Sequence, residues 1–323
     1  MKKNIIKLAL ISISLMIGAN NVNAATMDRH FLYVNDEENG NNQIYKSING
    51  EESQYINIKI RETGAKAFCV DVGANLSGEA GHGTNESLTN YLASSLGENK
   101  AAQLSKKINE YLYFGYGYNN KTSYKYDLAT QKLIWDEMYD AGYRTGSYSK
   151  DMFFYQISGK NPVDISAEMK EIKDNIANYY KTPSFCSSNN KIEINVGETA
   201  TYTDNNGVLN MFKVSCSGGI SCEIAGNNLK VTAQNDSEDN KVEFSKTGGG
   251  TTTILYTKSG EQGVVAASGS VEPVKCTFGI DTKVEEVEVH TNPTTGTIAI
   301  IIAWIAGLSA FGVSFWYFKK TYL

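Results

Sequence analysis

The chain has 323 residues and a formal net charge of −5, with 41% hydrophobic and 20% charged residues. This balance is typical of a folded globular protein and argues against a nucleic-acid-binding surface, which needs a clear excess of basic side chains. The chain also contains five cysteines, so at least one is left unpaired if the others form disulfides within the chain.

Residues 1–24 have the pattern of a secretory signal peptide. The basic start MKKNIIK precedes the apolar run LALISISLMIGA and the small residues VNA. The apolar run is too short to cross a bilayer, which takes about 20 residues, so a signal peptide is favoured over a transmembrane anchor. We therefore expect a mature chain that begins near Ala25 and folds outside the cell, where disulfides persist.

Residues 25–183 mix short strands with helices and are predicted to form an α+β domain. The segment YINIKI (55–60) alternates in polarity, and KAFCVD (66–71) follows as a second strand. The spacing of apolar residues predicts three helices, at 100–115, 127–142 and 164–180. Asp127 is the predicted N-cap of the second helix.

Residues 184–290 change to short strands at near-regular intervals, divided by turn signals such as NNG and GNN. This pattern predicts an all-β sandwich of the immunoglobulin-like kind. The predicted strands are KIEINV, ATYTD, NMFKVSC, NLKVTA, KVEFSK and TTILYT.

Four cysteines fall in this second domain. Cys216 and Cys222 flank five residues, whereas Cys186 precedes the first strand and Cys276 lies near the last. We predict the pairs Cys216–Cys222 and Cys186–Cys276, one of three connectivities that four cysteines allow. A metal site is the alternative, but thiols at irregular spacing outside the cell usually oxidise, so neither a metal nor another cofactor is expected.

Residues 291–323 combine a short motif, an apolar span and a basic tail. The span (297–318) has 22 residues without a charge, which fits a bilayer, and the lysines after it favour the cytoplasmic side. The motif before the span consists of Asn292, Pro293, Thr294, Thr295 and Gly296.

This arrangement resembles the cell-wall sorting signal that sortases of Gram-positive bacteria recognise. The common form is L-P-x-T-G, and Asn292 departs from it at the first position. The resemblance implies cleavage after Thr295 and its attachment to a peptidoglycan amine, with sortase and peptidoglycan as partners. An ordinary C-terminal membrane anchor is the alternative, and both place residues 25–291 outside the membrane.

Cys69 is the cysteine without a partner in its own domain. One interpretation is a buried, inert thiol in a non-covalent surface binding protein, since a free cysteine packs as a small hydrophobe. Another is the nucleophile of a secreted cysteine hydrolase, which needs a histidine base. The histidines are His30, His82 and His290, and no cysteine-protease signature surrounds Cys69.

A third interpretation comes from Gln131, which lies in the first turns of its predicted helix. Trp135 and Met138 follow at i+4 and i+7, so Gln131 points with them toward the interior. Together, the F-C-V-D strand and this helix resemble the thioester domains of Gram-positive surface adhesins, over roughly residues 50–145. The segment YFGYGYNN (113–120) is similar to the connecting segment of that family. The matching residues are Phe68, Cys69, Val70, Asp71, Thr130, Gln131, Ile134 and Trp135.

The resemblance implies a bond between the side chains of Cys69 and Gln131. A thiolate held against a carboxamide displaces ammonia and leaves a thioester, which positioning makes feasible. Asp71, Asp127 and His82 are candidates for polarising that bond or accepting a proton. Five aromatic residues are expected either to exclude water from it or to pack in the core: Tyr111, Tyr113, Phe114, Tyr116 and Tyr118.

The implied function is a wall-anchored adhesin that transfers the Gln131 acyl group once to an amine or hydroxyl on a host or target surface. Such a protein is not an enzyme, because it does not turn over. Relatives often carry Lys–Asn isopeptide cross-links in their stalk domains, and disulfides are expected to replace them here.

Overall fold

The structure, a computed structural model, describes residues 25–36, 40–71, 76, 82–143, 148–187, 192–251 and 253–283. The predicted signal peptide and the predicted sorting segment (291–323) lie outside these residues. No helix within the described residues is long and apolar enough to cross a membrane.

The first part of the chain contains nine strands and four α-helices among the described residues. Six strands come first: β1 (Met27–Phe31), β2 (Tyr33–Asp36), β3 (Gly40–Ile48), β4 (Glu51–Gln54), β5 (Ile56–Ile60) and β6 (Lys66–Cys69). They are followed by β7 (Gly83–Glu86), α1 (Leu88–Leu96), α2 (Glu98–Phe114), α3 (Tyr124–Asp140), β8 (Phe153–Gln156), β9 (Asn161–Pro162) and α4 (Ser166–Tyr180).

The remainder is built from strands joined by short turns. In chain order these are β10 (Ile192–Asn195), β11 (Thr199–Thr203), β12 (Lys213–Ser217), β13 (Ile220–Ala225), β14 (Asn228–Ala233), β15 (Ser237–Lys246), β16 (Gly249–Gly250), β17 (Leu255–Thr257), β18 (Val264–Ala266), β19 (Ser270–Val271) and β20 (Val274–Lys283).

The three predicted helices are confirmed with shifts of two or three residues at their starts and of at most two at their ends, and α1 is an additional helix. The prediction that Asp127 caps α3 is wrong. The helix begins at Tyr124, after Ser123 in extended conformation, and Asp127 lies buried within its first turn. The Asp127 carboxylate pairs with Lys66 of β6 instead of with the first amides of the helix.

The first hydrophobic core lies between two sheets and the helices. One sheet has six antiparallel strands in the order β1-β5-β6-β18-β17-β7, and the other joins β2, β3, β8 and β9, with β4 paired to β3. The alternation predicted in β5 is seen in Ile58 and Ile60, which are both 1% exposed. Helix α3 is buried on all sides from Asp127 to Trp135, because every residue of that stretch is buried.

The hairpin β17–β18 enters this sheet from the second half of the chain. It leaves the sandwich after β15 and returns to it at β20, and β18 pairs with β6 while β17 pairs with β7. The prediction that TTILYT is a strand of the sandwich is therefore wrong, because Leu255 and Tyr256 belong to the first core. The two strands that flank the hairpin, β16 and β19, pair with each other.

The rest of the second part forms two sheets over a separate core. A four-stranded sheet has the order β10-β20-β15-β12, with β10 and β20 parallel, and a three-stranded sheet has the order β11-β14-β13. Phe244, Phe278 and Leu229 are fully buried between them. This arrangement is a sandwich, as predicted.

Both predicted disulfides are present in the structure. Cys216 of β12 is bonded to Cys222 of β13, so this bridge joins the two sheets of the sandwich. Cys186 is bonded to Cys276 of β20, with Cα atoms 5.9 Å apart. Cys69 is the free cysteine among the described residues, and it is buried.

Candidate functional site

Cys69 and Gln131 meet where β6 ends against α3. The Cys69 backbone N–H donates to Gln131 Oε1 at 2.9 Å, and Gln131 Nε2 donates to the Cys69 carbonyl oxygen at 2.8 Å. Both residues are buried, with 8% and 2% of their surface exposed. Two hydrogen bonds therefore hold the carboxamide in a fixed plane beside the residue that carries the thiol.

The local sheet pairing explains why this position is open to a side chain. The Val70 N–H donates to Gly263 of the neighbouring hairpin, so the N–H and C=O of Cys69 point the other way, toward β5. The ladder between β5 and β6 extends only to Ala67. Beyond that point, the carboxamide of Gln131 takes the two backbone groups that a strand would otherwise satisfy.

A buried ion pair lies next to this contact. Lys66 Nζ is 2.5 Å from Asp127 Oδ2, and the Tyr55 hydroxyl donates to Asp127 Oδ1 at 3.0 Å. Lys66 precedes Cys69 by three residues on β6, and Asp127 precedes Gln131 by one helical turn on α3. The same strand and helix are thus joined twice, once by the ion pair and once by the carboxamide.

A cavity of about 800 Å³ reaches Cys69. Its lining is mixed, since charged and polar side chains are as prominent in it as apolar and aromatic ones. The residues that line it are Arg29, Lys46, Ser53, Gln54, Tyr55, Ile56, Cys69, Leu76, Trp135, Ser259, Gly260, Glu261 and Gln262. Four of these belong to the loop between β17 and β18, so the second half of the chain forms part of the cavity wall.

The Cys69 thiol is held in its neutral form. Burial raises the pKa of Cys69 to about 12, although the charges of Lys46 and Lys66 oppose this effect. Asp71 and Asp127 raise the pKa further through their negative charge. Attack by this sulfur on a carbonyl carbon therefore requires a group that accepts the thiol proton.

The three candidates predicted to assist the bond occupy different positions around it. Asp127 is engaged with Lys66 and Tyr55, as described above. Asp71 Oδ2 accepts hydrogen bonds from the Tyr91 hydroxyl at 2.8 Å and from the Gly263 N–H at 2.9 Å. It thereby ties the end of β6 to α1 and to the hairpin.

His82, the third candidate, is fully buried. Its Nε2 lies 3.3 Å from a carboxylate oxygen of Glu261, which also pairs with Lys258 at 2.8 Å. Since Glu261 lines the cavity, His82 stands behind the cavity wall and contacts the site through that carboxylate.

The five predicted aromatic residues pack in or against the first core, which agrees with the second of the two alternatives. Phe114 packs edge-on against Tyr113 and Tyr118, and its ring also contacts Tyr179 of α4. None of the five predicted aromatic residues lines the cavity. Its aromatic walls are Tyr55 and Trp135.

Sequence reasoning missed Lys46, Glu261 and Gln262. Lys46 lies on a strand with polar neighbours, which do not indicate that its side chain lines a cavity. The strand pattern predicts that the loop with Glu261 belongs to a different domain. Trp135 was found, because it follows Gln131 by one helical turn. No group of three or more His, Cys, Asp or Glu residues within the described part of the chain is placed to hold a metal ion.

Comparison with known proteins gives one family and two solved structures. Residues 66–182 match the model of the family described as "Thioester domain". The chain is also similar to the "Thioester domain of the Staphylococcus aureus TIE protein", with 18% identity, a TM-score of 0.49, and coverage of 80% of this chain and 100% of that one. It is similar as well to "The Bacillus anthracis TIE protein", with 14% identity, a TM-score of 0.32, and coverage of 80% of this chain and 49% of that one.

No curated protein matches the chain. The family match covers about a third of it and includes Cys69, Gln131, Lys66 and Asp127, whereas Lys46 and the β17–β18 hairpin lie outside the matched range. The region of the chain that carries both Cys69 and Gln131 therefore matches the thioester domain family.

Proposed function

We propose that this protein attaches covalently to a target surface through a thioester between Cys69 Sγ and the side-chain carbonyl carbon of Gln131. The observation that carries the proposal is the pair of hydrogen bonds between the Gln131 carboxamide and the Cys69 backbone, 2.9 and 2.8 Å long. The match of residues 66–182 to the thioester domain family supports it.

The geometry suits the chemistry of bond formation. The thiol sulfur attacks the carboxamide carbon, the C–N bond breaks, ammonia leaves with the thiol proton, and an acyl–sulfur bond remains. The Cys69 N–H already donates to Oε1, the oxygen on which negative charge develops during attack. Because both groups belong to one folded chain, the reaction is intramolecular and gains a high effective concentration.

When the thioester is used, the Gln131 acyl group moves from the Cys69 sulfur to the target. A primary amine or a hydroxyl on the target attacks the same carbonyl carbon, takes over the Gln131 acyl group and releases the Cys69 thiol. The event occurs once per molecule, so the protein acts as a single-use acyl donor and not as an enzyme. A covalent link also withstands pulling that would break reversible contacts, whose free energy saturates near −20 kcal/mol.

The proposal also includes anchoring in the cell wall, which the sequence of residues 291–323 supports. Sortase joins Thr295 to a peptidoglycan amine, so the protein is anchored in the cell wall of a Gram-positive bacterium and acts as an adhesin. Muralytic digestion of cells that produce the chain should release it with cell-wall fragments attached at Thr295. Recovery of an intact chain that still contains the span 297–318 would favour an ordinary membrane anchor instead.

The thioester is tested by the intact mass of the full chain. The mass should be lower than calculated by one ammonia, apart from the hydrogens lost to two disulfides and any removed signal peptide. Methylamine should add at Gln131, and Cys69→Ala should abolish both the deficit and the adduct. A full calculated mass together with a Cys69 thiol that alkylates completely in unfolded chain would refute the proposal.

A further inference from the structure

We propose that the Lys46 amine carries the proton in both acyl-transfer steps at Cys69 and Gln131. It takes the proton from the thiol while the thioester forms, and later from the incoming amine while the thioester is consumed. This inference rests on the function proposed above and adds a residue that neither the sequence pattern nor the family match includes.

Lys46 lines the same cavity as Cys69. It projects from β3 into the space that Cys69 of β6 and Trp135 of α3 also line. Its Nζ is 4.9 Å from the centroid of the Trp135 ring, and Trp135 follows Gln131 by one helical turn on the same buried face. The amine is therefore placed beside the helical face that presents the carboxamide.

The two lysines near the site, Lys66, which is buried, and Lys46, which is half-buried, differ in their partners. Lys66 donates to Asp127 and to Asn57 Oδ1 at 2.7 Å. Burial lowers the pKa of Lys66, and the ion pair with Asp127 opposes that effect. Lys46 makes no ion pair with any described residue, and its contact in the cavity is the Trp135 ring. Among the described residues, Lys46 thus has no paired carboxylate that would fix its proton.

The environment of Lys46 favours loss of its proton in comparison with an exposed lysine. Burial lowers the pKa of the Lys46 ammonium, and the negative charge of a Cys69 thiolate offsets part of that effect. The Trp135 ring stabilises the ammonium when it forms. The other titratable or charged groups that line the cavity are Arg29 from β1, Tyr55 before β5, Cys69 from β6 and Glu261 from the hairpin loop.

In both steps Lys46 accepts one proton and returns it, so the protons balance. In formation, neutral Lys46 accepts the thiol proton, the thiolate attacks Gln131, and the ammonium returns the proton to the departing nitrogen as ammonia. In consumption, Lys46 accepts a proton from the attacking amine nitrogen and returns it to the Cys69 thiolate as the acyl–sulfur bond breaks. No oxidant, reductant or metal is needed.

The test compares Lys46→Met and Lys46→Arg with Lys100→Met, which replaces an exposed lysine of α2. Two rates are measured on the full chain between pH 5 and 9. The first is the appearance of the ammonia mass deficit in freshly made chain, and the second is the consumption of the thioester by hydroxylamine.

Both Lys46 variants should lose on the order of 10²-fold or more in rate, as removal of a general base does, and their rates should lose the rise with pH that accompanies deprotonation of Lys46. Arginine keeps the positive charge and the long stem but does not deprotonate in this range, so it separates proton transfer from electrostatics. Lys100→Met should behave as the wild type.

A Lys46→Arg variant with the rate and pH profile of the wild type would overturn the proposal, and so would a Lys46→Met variant that matches Lys100→Met. Retention of both disulfides and of the wild-type near-ultraviolet circular dichroism identifies folded variants, and the arginine variant decides if the methionine variant does not fold. Absence of the mass deficit in the wild type would refute the thioester itself. A mass deficit in the wild type together with unchanged rates in the Lys46 variants would refute only the role of Lys46.

Discussion

Lys66 and Asp127 form an ion pair that is almost completely withdrawn from water, with 7% and 2% of their side chains exposed. The pair joins the strand that ends at Cys69 to the helix that carries Gln131. It therefore fixes the register of the two elements on which the reacting groups lie.

Removal of one partner should impair both stability and thioester formation. Lys66→Met or Asp127→Leu leaves an uncompensated buried charge, which costs about 3–5 kcal/mol, and the double variant should be milder because it leaves none. Urea unfolding and the fraction of chain with the ammonia deficit measure the two effects. Equal unfolding midpoints for wild type and single variants would show that the pair does not hold β6 against α3.

Gln131→Glu should fold but should not form the thioester. A carboxylate has no ammonia to release and is a poor acyl donor, and it cannot donate the hydrogen bond that Gln131 Nε2 makes to the Cys69 carbonyl. Loss of that bond should lower the free energy of unfolding by about 1–3 kcal/mol. Intact mass and alkylation of Cys69 in the unfolded chain check the outcome, which a persistent mass deficit would contradict.

Gly263→Val should disturb the site from the hairpin side. A Cβ at Gly263 would lie 2.8 Å from Val70 Cγ2 and 3.3 Å from the Tyr91 hydroxyl, next to the strand that carries Cys69. Overpacking of this kind costs about 1–3 kcal/mol. The thioester fraction should fall with the free energy of unfolding.

Gly83→Val is the matched control, since a Cβ there meets only the Thr257 carbonyl oxygen, at 3.7 Å. It should leave the thioester fraction unchanged. Equal thioester fractions in Gly263→Val and Gly83→Val would show that the hairpin does not shape the reactive site.

The sandwich should lose stability in acid through Asp204, which is fully buried. Burial acts to raise the pKa of this carboxyl, but hydrogen bonds from the N–H groups of Ser184, Val208, Asn206 and Leu209 outweigh it, so the pKa is lowered from its ordinary value of 3.8. A lowered pKa means that the carboxylate stabilises the fold above pH 3.8. That contribution disappears as the pH falls through the pKa of the folded state.

Asp204→Asn should therefore reduce the free energy of unfolding by about 1–3 kcal/mol at neutral pH and flatten its decline in acid. Urea unfolding between pH 2 and 7 provides the measurement. A variant with the same acid slope as the wild type would assign that slope to other carboxylates.

The sequence allowed Cys69 and Gln131 to be named because each sits in a local pattern, an apolar strand and a helix turn that also carries Trp135. Their contact could be inferred from the family resemblance, but the hydrogen bonds that orient the carboxamide depend on where the β5–β6 ladder stops. That limit is set by tertiary pairing, which no local pattern records.

For the β17–β18 hairpin, the local sequence pattern predicts the strand but not the sheet that it joins. The segment that contains Leu255 has the strand propensity and spacing of its neighbours, and this pattern predicts that it belongs to the sandwich with them. Which sheet it joins is decided by complementarity with β6 and β7, far away along the chain. For the same reason, Glu261 and Gln262 could not be placed at Cys69 from sequence. The signal peptide and the sorting motif remain predictions.

The disulfide between Cys186 and Cys276 has a mechanical consequence for this nested arrangement. It closes a covalent loop with a sequence separation of 90, and the hairpin beside Cys69 lies inside that loop. We expect tension that enters at the end of β20 to pass through the disulfide directly to Cys186 and α4, so that the force bypasses the hairpin that pairs with β6.

In a single-molecule pulling experiment, the segment 187–275 should not extend under force until a reductant is added, and should then lengthen the tether by on the order of 300 Å. Extension of that size under oxidising conditions would show that the bridge does not bear the load.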